Sequence, residues 1–310
     1  MGPSPLRVAV LGPGGVGGML GALLARAGNP VVVIAGDDTA RAINRTGLRL
    51  ESRLFGDFSV PVRAVTRLEE PVDVCFITVK ATQLREALDR LPAEVVGDGL
   101  VIPMLNGVDH VELLRSVYPR SNVVAATIRV EAARTETGVI RQLSPFAAVD
   151  LASSAENQDR VEEVAARLEA TGLKVRVRDD ETAMLWDKLM MLAPLALLTT
   201  HERGNTGAVR TRRREDAIAV ITEVAAVGRA EGATVGADAV IRMLEAAPES
   251  MESSMQRDQA GGRPIELDAI GGAVVRHARR WGIEVPVTSR LVDELRTREE
   301  GRVRARSSGS

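Results

Sequence analysis

Aromatic side chains are nearly absent from the 310-residue chain: four Phe, two Trp and one Tyr make up 2% of it. Interior volume must then be filled by Ala, Val and Leu, and a nucleic-acid strand would find no stacking platform. Cysteine is just as scarce. The one thiol, Cys75, excludes an intrachain disulfide framework and fits a reducing cytosol. Its setting in the apolar run VDVCFITV makes it a core residue rather than a nucleophile. The three histidines, His110, His201 and His277, lie far apart with no second histidine at ligand spacing, so structural or surface roles are expected and no metal centre is. No G-x-S-x-G elbow is present for a Ser-His-Asp hydrolase. Charge of one sign is lacking too: 40 basic residues face 42 acidic ones, a net charge of -2 that gives no field for a nucleic-acid partner. The longest candidate membrane run, residues 189–198, contains Pro194 and is too short to span a bilayer, and no signal peptide is evident. A cytoplasmic protein with neither membrane nor nucleic acid as a partner is expected.

What the chain has instead is an apolar, glycine-punctuated opening. Residues 6–36 read LRVAVLGPGGVGGMLGALLARAGNPVVVIAG. The pattern predicts a buried strand at 7–11, a helix at 15–27 with small residues on its inner side, and a second strand at 31–35, which is one βαβ unit. Gly12, Gly14 and Gly17 satisfy G-x-G-x-x-G at the strand-to-helix junction. The first permits a tight turn, the second lets a pyrophosphate approach the backbone, and the third allows close helix–strand contact. Pro13 is compatible with such a turn, since a phosphate groove needs N–H donors from only some positions. The expected cofactor-binding residues here are Gly12, Pro13, Gly14, Gly15, Val16 and Gly17.

Strands at 73–79 and 100–104, each followed by a helix, continue the alternation, with a small antiparallel excursion at 47–62. Further strands are expected at 123–130, 139–143, 147–151 and 174–178, and an amphipathic helix at 156–170. From residue 181 nearly every segment has helical spacing. The fold class expected is α/β, an N-terminal Rossmann-type doubly wound sheet with a C-terminal all-helical domain. The boundaries drawn are 1–178, 179–300, and a flexible basic and Ser/Gly-rich tail at 301–310. A 45% hydrophobic chain of this length can fill two cores. The basic run at 210–214 reads as a solvated or phosphate-adjacent helix start.

Ligands of open α/β sheets bind beyond the carboxyl ends of the strands. Lys80 follows one buried strand in FITVKATQ, and Asn106 follows the next in IPMLNGV. Each is either a turn residue or a group that lines a crevice. Lys188, in MLWDKLMML, can snorkel to water or pair with Asp187 or Glu181; beside a substrate carbonyl, its ammonium would polarise the oxygen and supply a proton. Glu266 and Asp268 are either first-turn dipole partners or carboxylates that hold a substrate hydroxyl or tune a lysine. Ser253-Ser254-Met255, followed by Asp258, offers hydroxyls that could grip a substrate carboxylate.

Taken in order over roughly residues 6–296, these features make the chain resemble the ketopantoate reductase (2-dehydropantoate 2-reductase) family. The carriers are the glycine motif, the Lys80 strand end, Asn106-Gly107, the W-x-K-L segment around Lys188, Ser253-Ser254-Met255, and Glu266-x-Asp268. The resemblance implies a Rossmann domain and a helical domain of the 6-phosphogluconate dehydrogenase C-terminal kind, with the active site in the cleft between them. It implies catalytic roles for Lys188 and Glu266, cofactor contacts from Lys80 and Asn106, and substrate contacts from Asn106, Lys188, Ser254, Asp258 and Glu266. The implied reaction is hydride transfer from NADPH to the ketone of ketopantoate, giving pantoate for vitamin B5 and coenzyme A. A homodimer through the alanine-rich helical half is a further expectation.

Two positions depart from the family pattern. Leu192 and Ala196 stand where asparagines usually follow the catalytic lysine by one and two helical turns. Loss of such polar contacts can change substrate discrimination by orders of magnitude. Gly36, followed by Asp37 and Asp38, stands where an arginine usually receives the 2′-phosphate, which brings NAD into consideration beside NADP, with Arg41 or Arg45 as compensating cations. The alternatives are therefore a paralogous reductase of another small 2-oxo acid, or a nucleotide-binding protein without turnover.

Overall fold

The computed structural model describes residues 5–307. The chain separates into two units. One runs up to Leu105 and resumes over His110–Glu181; the other joins Asn106–Asp109 to the chain from Thr182 onward.

The first unit alternates strands and helices: β1 (Val8–Leu11), α1 (Gly15–Arg26), β2 (Val31–Ile34), α2 (Asp37–Thr46), β3 (Leu48–Ser52), β4 (Phe58–Val60), β5 (Arg63–Val65), β6 (Val74–Ile77), α3 (Leu84–Leu88), α4 (Ala93–Val96), β7 (Leu100–Pro103), α5 (His110–Arg115), β8 (Ala126–Arg129), β9 (Ala132–Glu136), β10 (Val139–Gln142), β11 (Ala148–Ala152), α6 (Gln158–Glu169) and β12 (Lys174–Arg178). The principal sheet has the order β5-β2-β1-β6-β7, and every pair in it is parallel. β1, β6 and β7 are buried at all four positions, which is why their sequences are unbroken apolar runs rather than alternating ones. A doubly wound parallel sheet is thus present as expected.

Glycine sets how closely α1 can lie against its neighbours. A Cβ at Gly17 would stand 2.1 Å from Thr78 Oγ1 and 2.3 Å from the Gly12 carbonyl, and one at Gly18 would stand 2.5 Å from Ile140 Cγ1. Any larger residue would push the helix off the sheet.

Two smaller sheets complete this unit, β4-β3-β10-β9 and β12-β11-β8. The excursion at 47–62 is antiparallel, as β3 and β4 show, but β3 also pairs in parallel with β10, a strand far along the chain. β5 and β9 had no counterpart among the expected strands. β5 is three residues long, and β9 (AARTE) exposes four of its five residues, so neither carries an apolar period. In the third sheet the Asp150 side chain, 3% exposed, accepts from Arg129 at 2.9 Å and from Arg176 at 2.8 Å, joining β11 to both of its neighbours. Burial opposes ionisation of Asp150, yet the hydrogen bonds from Arg176 and Arg129 outweigh it and hold the carboxyl below its ordinary value.

The second unit is helical: α7 (Glu181–Glu202), α8 (Thr206–Arg212), α9 (Arg214–Ala230), α10 (Ala237–Ala246), α11 (Ser254–Ala260), a π turn at Asp268–Gly272, α12 (Ala273–Trp281) and α13 (Pro286–Ser307). Trp186, Leu189, Met190 and Leu197 of α7 form its core with Val220 and Val224 of α9 and Leu291 and Leu295 of α13. By length and composition α7 would qualify to cross a membrane, unlike the shorter run read from the sequence. With 72% of its most apolar window buried within the protein, it is a core helix. Pro194 lies inside it.

Three expectations change here. Residues 301–307, read as part of a tail, continue α13, with Arg302 donating to Glu299 at 2.6 Å and to the Arg263 carbonyl at 2.8 Å. Residues 308–310 of that tail lie outside the described residues. The basic run at 210–214 is spent on helix ends and ion pairs. Arg210 donates to the carbonyls of Glu245 and Ala247 at the end of α10, while Arg213 pairs with Glu202 and Arg214 with Glu245. Finally, Asn106–Asp109 groups with the helical unit although it follows a sheet strand.

Asp150→Asn should lower the urea-unfolding free energy by about 2 kcal/mol at neutral pH, the scale of charge-assisted hydrogen bonds. Because the folded-state value of Asp150 is depressed, the difference between variant and parent should shrink as the pH falls below 3.8 and through that depressed value. Equal midpoints at neutral pH would contradict the assignment.

Candidate functional site

The glycine turn belongs to the first unit. Gly12 adopts φ +91°, a conformation that favours glycine, and a Cβ there would stand 2.6 Å from Val79 Cγ1. Its N–H donates to the Ile34 carbonyl at 3.0 Å, and its carbonyl accepts from Thr78 Oγ1 at 2.7 Å and from the Gly14 N–H at 2.8 Å. Pro13 is buried between them. Gly14 is the extended N-cap of α1, with open space where a Cβ would be. The helix behind it has no side-chain cap and no acidic residue in its first turn. The amides of Gly15, Val16 and Gly17 therefore begin a twelve-residue helix with their dipole uncompensated by side chains, a fit for an anionic oxygen. Gly15 has a second reason to be glycine, since a Cβ would lie 2.1 Å from the Ala132 carbonyl oxygen at the start of β9.

Beyond β2, Gly36 caps α2, with Asp37 and Asp38 in the first turn. Arg41 pairs with Asp38 at 2.5 Å, and both side chains are exposed. Arg90 donates to the Ala35 carbonyl at 3.3 Å and to that of Thr66 at 3.0 Å. This brings a guanidinium to the end of β2 from 55 residues away, something no local pattern announces. Lys80, half-buried, stands three residues past β6, immediately before the 3-10 turn Ala81–Gln83.

The helical unit gathers most of the other candidates. The Asn106 amide donates to Glu266 Oε2 at 3.1 Å, and Glu266 is 6% exposed. Gly107, at φ +89°, makes this approach possible, because a Cβ would stand 2.3 Å from the Ala269 carbonyl oxygen. Lys188 is half-buried on α7. Of the two carboxylates considered for it, Asp187 accepts from the Thr234 and Val235 amides and the Thr234 hydroxyl at 2.7–3.0 Å, while Glu181 takes Arg115 at 2.6 Å. Leu192, half-buried, follows Lys188 by one helical turn, and Ala196, fully buried, follows by two.

The serine patch divides by role. Ser253 is buried, caps α11 by accepting from the Gln256 amide at 3.0 Å, and bonds Thr199 Oγ1 at 2.8 Å. Ser254 is the half-exposed first residue of α11. Asp258 is buried in an ion pair with Arg263 at 2.9 Å, and Asp268 is exposed and pairs with Arg276 at 2.8 Å. The structure thus joins Asn106 to Glu266 directly and adds neighbours to which sequence reading gave no site role: Thr199, Arg276 and Asp109, together with His277, expected as structural or surface. No group of three or more His, Cys, Asp or Glu suited to a metal occurs among the described residues.

Comparison with known proteins agrees along almost the whole chain. Residues 8–154 match the family described as ketopantoate reductase PanE/ApbA, and residues 180–299 match its C-terminal counterpart. The chain is 33% identical over 307 residues to a 2-dehydropantoate 2-reductase of Mycobacterium tuberculosis, covering 95% of this chain and 98% of that protein. A crystal structure of a PanE/ApbA family ketopantoate reductase from Ralstonia eutropha superposes with a TM-score of 0.85 at 29% identity, over 95% of this chain and 99% of that one. The ternary structure of D-mandelate dehydrogenase with NADH and anilino(oxo)acetate shares the fold, with a TM-score of 0.86 at 22% identity over 95% and 99% of the two chains. From the two family matches and the end-to-end relatives, the chain belongs to the ketopantoate reductase family of oxidoreductases.

Proposed function

We propose that the protein reduces the ketone of a small 2-oxo acid, with ketopantoate giving pantoate as the leading substrate and NADPH as the donor. The observation that carries this reading is the buried Glu266 carboxylate hydrogen-bonded to Asn106, on the same unit as Lys188. The glycine cradle at Gly12–Gly17, with its uncapped helix start, fits a pyrophosphate. A reduced nicotinamide dinucleotide held through that pyrophosphate would supply the hydride.

Lys188 places positive charge at the substrate oxygen, stabilises the alkoxide as it develops and protonates it. The composition supports that role. Lysine stands only at 80, 174 and 188, among 40 basic residues, and Lys188 is the one on the unit that carries Glu266. A guanidinium would serve poorly as a proton donor because its pKa is too high. Glu266 accepts from a substrate hydroxyl, Asn106 orients Glu266 and the polar end of the substrate, and the Ser254 hydroxyl donates to the substrate carboxylate.

NADPH is favoured over NADH because the Arg41–Asp38 pair is exposed. Such a pair is worth at most about 1 kcal/mol, so a 2′-phosphate can draw Arg41 away from it. Asp37 and Asp38 oppose this and leave NADH usable.

A second reading has a specific basis in α7. Leu192 presents no polar atom beyond the backbone one turn after Lys188, and the buried Ala196 offers none behind it, which suits a 2-oxo acid with an apolar substituent in place of a hydroxylated one.

Steady-state reduction of ketopantoate and of a panel of 2-oxo acids, with NADPH and NADH in turn, tests both readings. Lys188→Ala should lower kcat about a hundredfold or more with little change in KM, and unchanged turnover would remove Lys188 from the mechanism. Arg41→Ala should raise the KM for NADPH about tenfold and leave that for NADH alone, as expected for loss of roughly 1.4 kcal/mol of binding. Leu192→Asn should raise kcat/KM for ketopantoate relative to an apolar 2-oxo acid by about tenfold or more if this position reads the hydroxyl. An unaltered ratio would show that it does not.

A further inference from the structure

His277 sits where four parts of the helical unit meet. The ring belongs to α12. Its Nε2 bonds Asp109 Oδ1 at 2.9 Å and its Nδ1 bonds Glu231 Oε1 at 2.6 Å, just past the end of α9. Trp281 Nε1 donates to the same Glu231 oxygen at 2.6 Å, and Trp186 of α7 meets the imidazole edge-on with centroids 5.0 Å apart. Arg276 reaches Asp109 at 2.6 Å and Asp268 at 2.8 Å. The charged groups facing the ring are therefore Asp109 from the segment after β7 and Glu231 from the end of α9. Arg276 lies beside them on the ring's own helix, with Asp268 behind Arg276.

An imidazole bonded through both nitrogens to carboxylates has to donate from both, because a neutral ring would turn a lone pair toward an anionic oxygen. The electrostatics agree. The Asp109 hydrogen bond, with help from Glu231, holds His277 above its ordinary value of 6.5 against the cost of burial. Burial likewise opposes ionisation of Asp109, but the His277 and Arg276 hydrogen bonds push it down to about 2.

Asp109 is three residues from Asn106, with Gly107 between them seated against the Ala269 carbonyl. A clamp on Asp109 thus fixes one end of a four-residue segment whose other end carries the amide bonded to Glu266. We propose that His277, clamped between Asp109 and Glu231, is a positioning residue for the reduction: it latches the Asn106–Asp109 segment onto the helical unit and so delivers the Asn106 amide to Glu266. This rests on the reading of Asn106 and Glu266 as substrate-facing. Because the folded-state value of His277 is raised, the latch is whole below pH 6.5 and weakens as the pH rises through that raised value. Arg276 then remains as a partial hold.

His277→Gln, His277→Arg and Glu266→Gln, each compared with the parent, test this with two readouts. The first is amide hydrogen exchange over residues 106–109 at one fixed, near-neutral pH. The second is the pH profile of kcat/KM for ketopantoate with NADPH. In His277→Gln, exchange at 107–109 should quicken about tenfold relative to α12. The same variant should lose about tenfold in kcat/KM at neutral pH and lack the parent's alkaline decline. His277→Arg, a permanent cation, should restore activity above pH 8, on the order of the parent's neutral value. Parent-like exchange and profile in His277→Gln would overturn the proposal. So would a lowered Tm with no selective change at 106–109, since that is a merely structural role. Full activity in Glu266→Gln would remove the reading of the site, while the exchange measurement still decides the latch by itself.

Discussion

A carboxylate shielded from water is stable only where donors replace its hydration, and Glu266 takes one of those donors from the Asn106 amide 3.1 Å away. That requirement shapes the chain well beyond the two residues. It needs Asn106 to leave β7 and lie with the helical unit, Gly107 to adopt φ +89° so that its backbone can touch the Ala269 carbonyl, and Asp109 to be held by Arg276 and His277. The π turn at Asp268–Gly272 starts two residues after Glu266, and a Cβ at Gly271 would stand 2.6 Å from Val292 and 2.8 Å from Leu197. Glycine at 107 thus seats one irregular stretch against the π turn, and glycine at 271 seats that turn against α7 and α13, and irregular stretches can aim a polar group where a regular helix cannot.

The same rule accounts for other buried charge in the molecule. Asp150 is satisfied by two arginines from flanking strands, Asp258 by Arg263, and Asp187 by the amides and hydroxyl of the turn at Thr234–Val235. Asp150 and Asp187 join segments that the apolar cores alone would leave free to slide, and Asp258 holds α11 to the loop that follows it, because hydrophobic contact has no direction and a hydrogen bond does. In a chain with so few aromatic rings this matters more than usual. Ala, Val and Leu pack well but fix orientation weakly, and ion pairs between neighbouring strands or helices supply the orientation instead.

How much could be read from the sequence depended on how local each signal was. The first βαβ unit, the strands β6 and β7 and the helical character after residue 181 all lie within windows of a few turns. Periodicity or a motif reveals them. β9 escaped because its solvent-facing residues carry no alternation, and the tail was misplaced because α13 continues through a basic stretch with no apolar stripe. His277 was discounted because metal-type spacing was sought around it, whereas its partners, Glu231 and Asp109, lie 46 and 168 residues away. The Asn106–Glu266 contact spans 160 residues, so each member was visible only as a candidate and the bond between them only in the folded chain.

Cys75 lies in β6 with no exposed surface, and burial pushes its thiol far up from the ordinary value. Thiolate is the form that reacts, so this fold offers peroxides, alkylating agents and glutathione no nucleophilic sulfur. The one thiol of a protein that belongs to a reductase family therefore needs no reductant of its own, and the fold does not depend on the thiol poise of the solution around it.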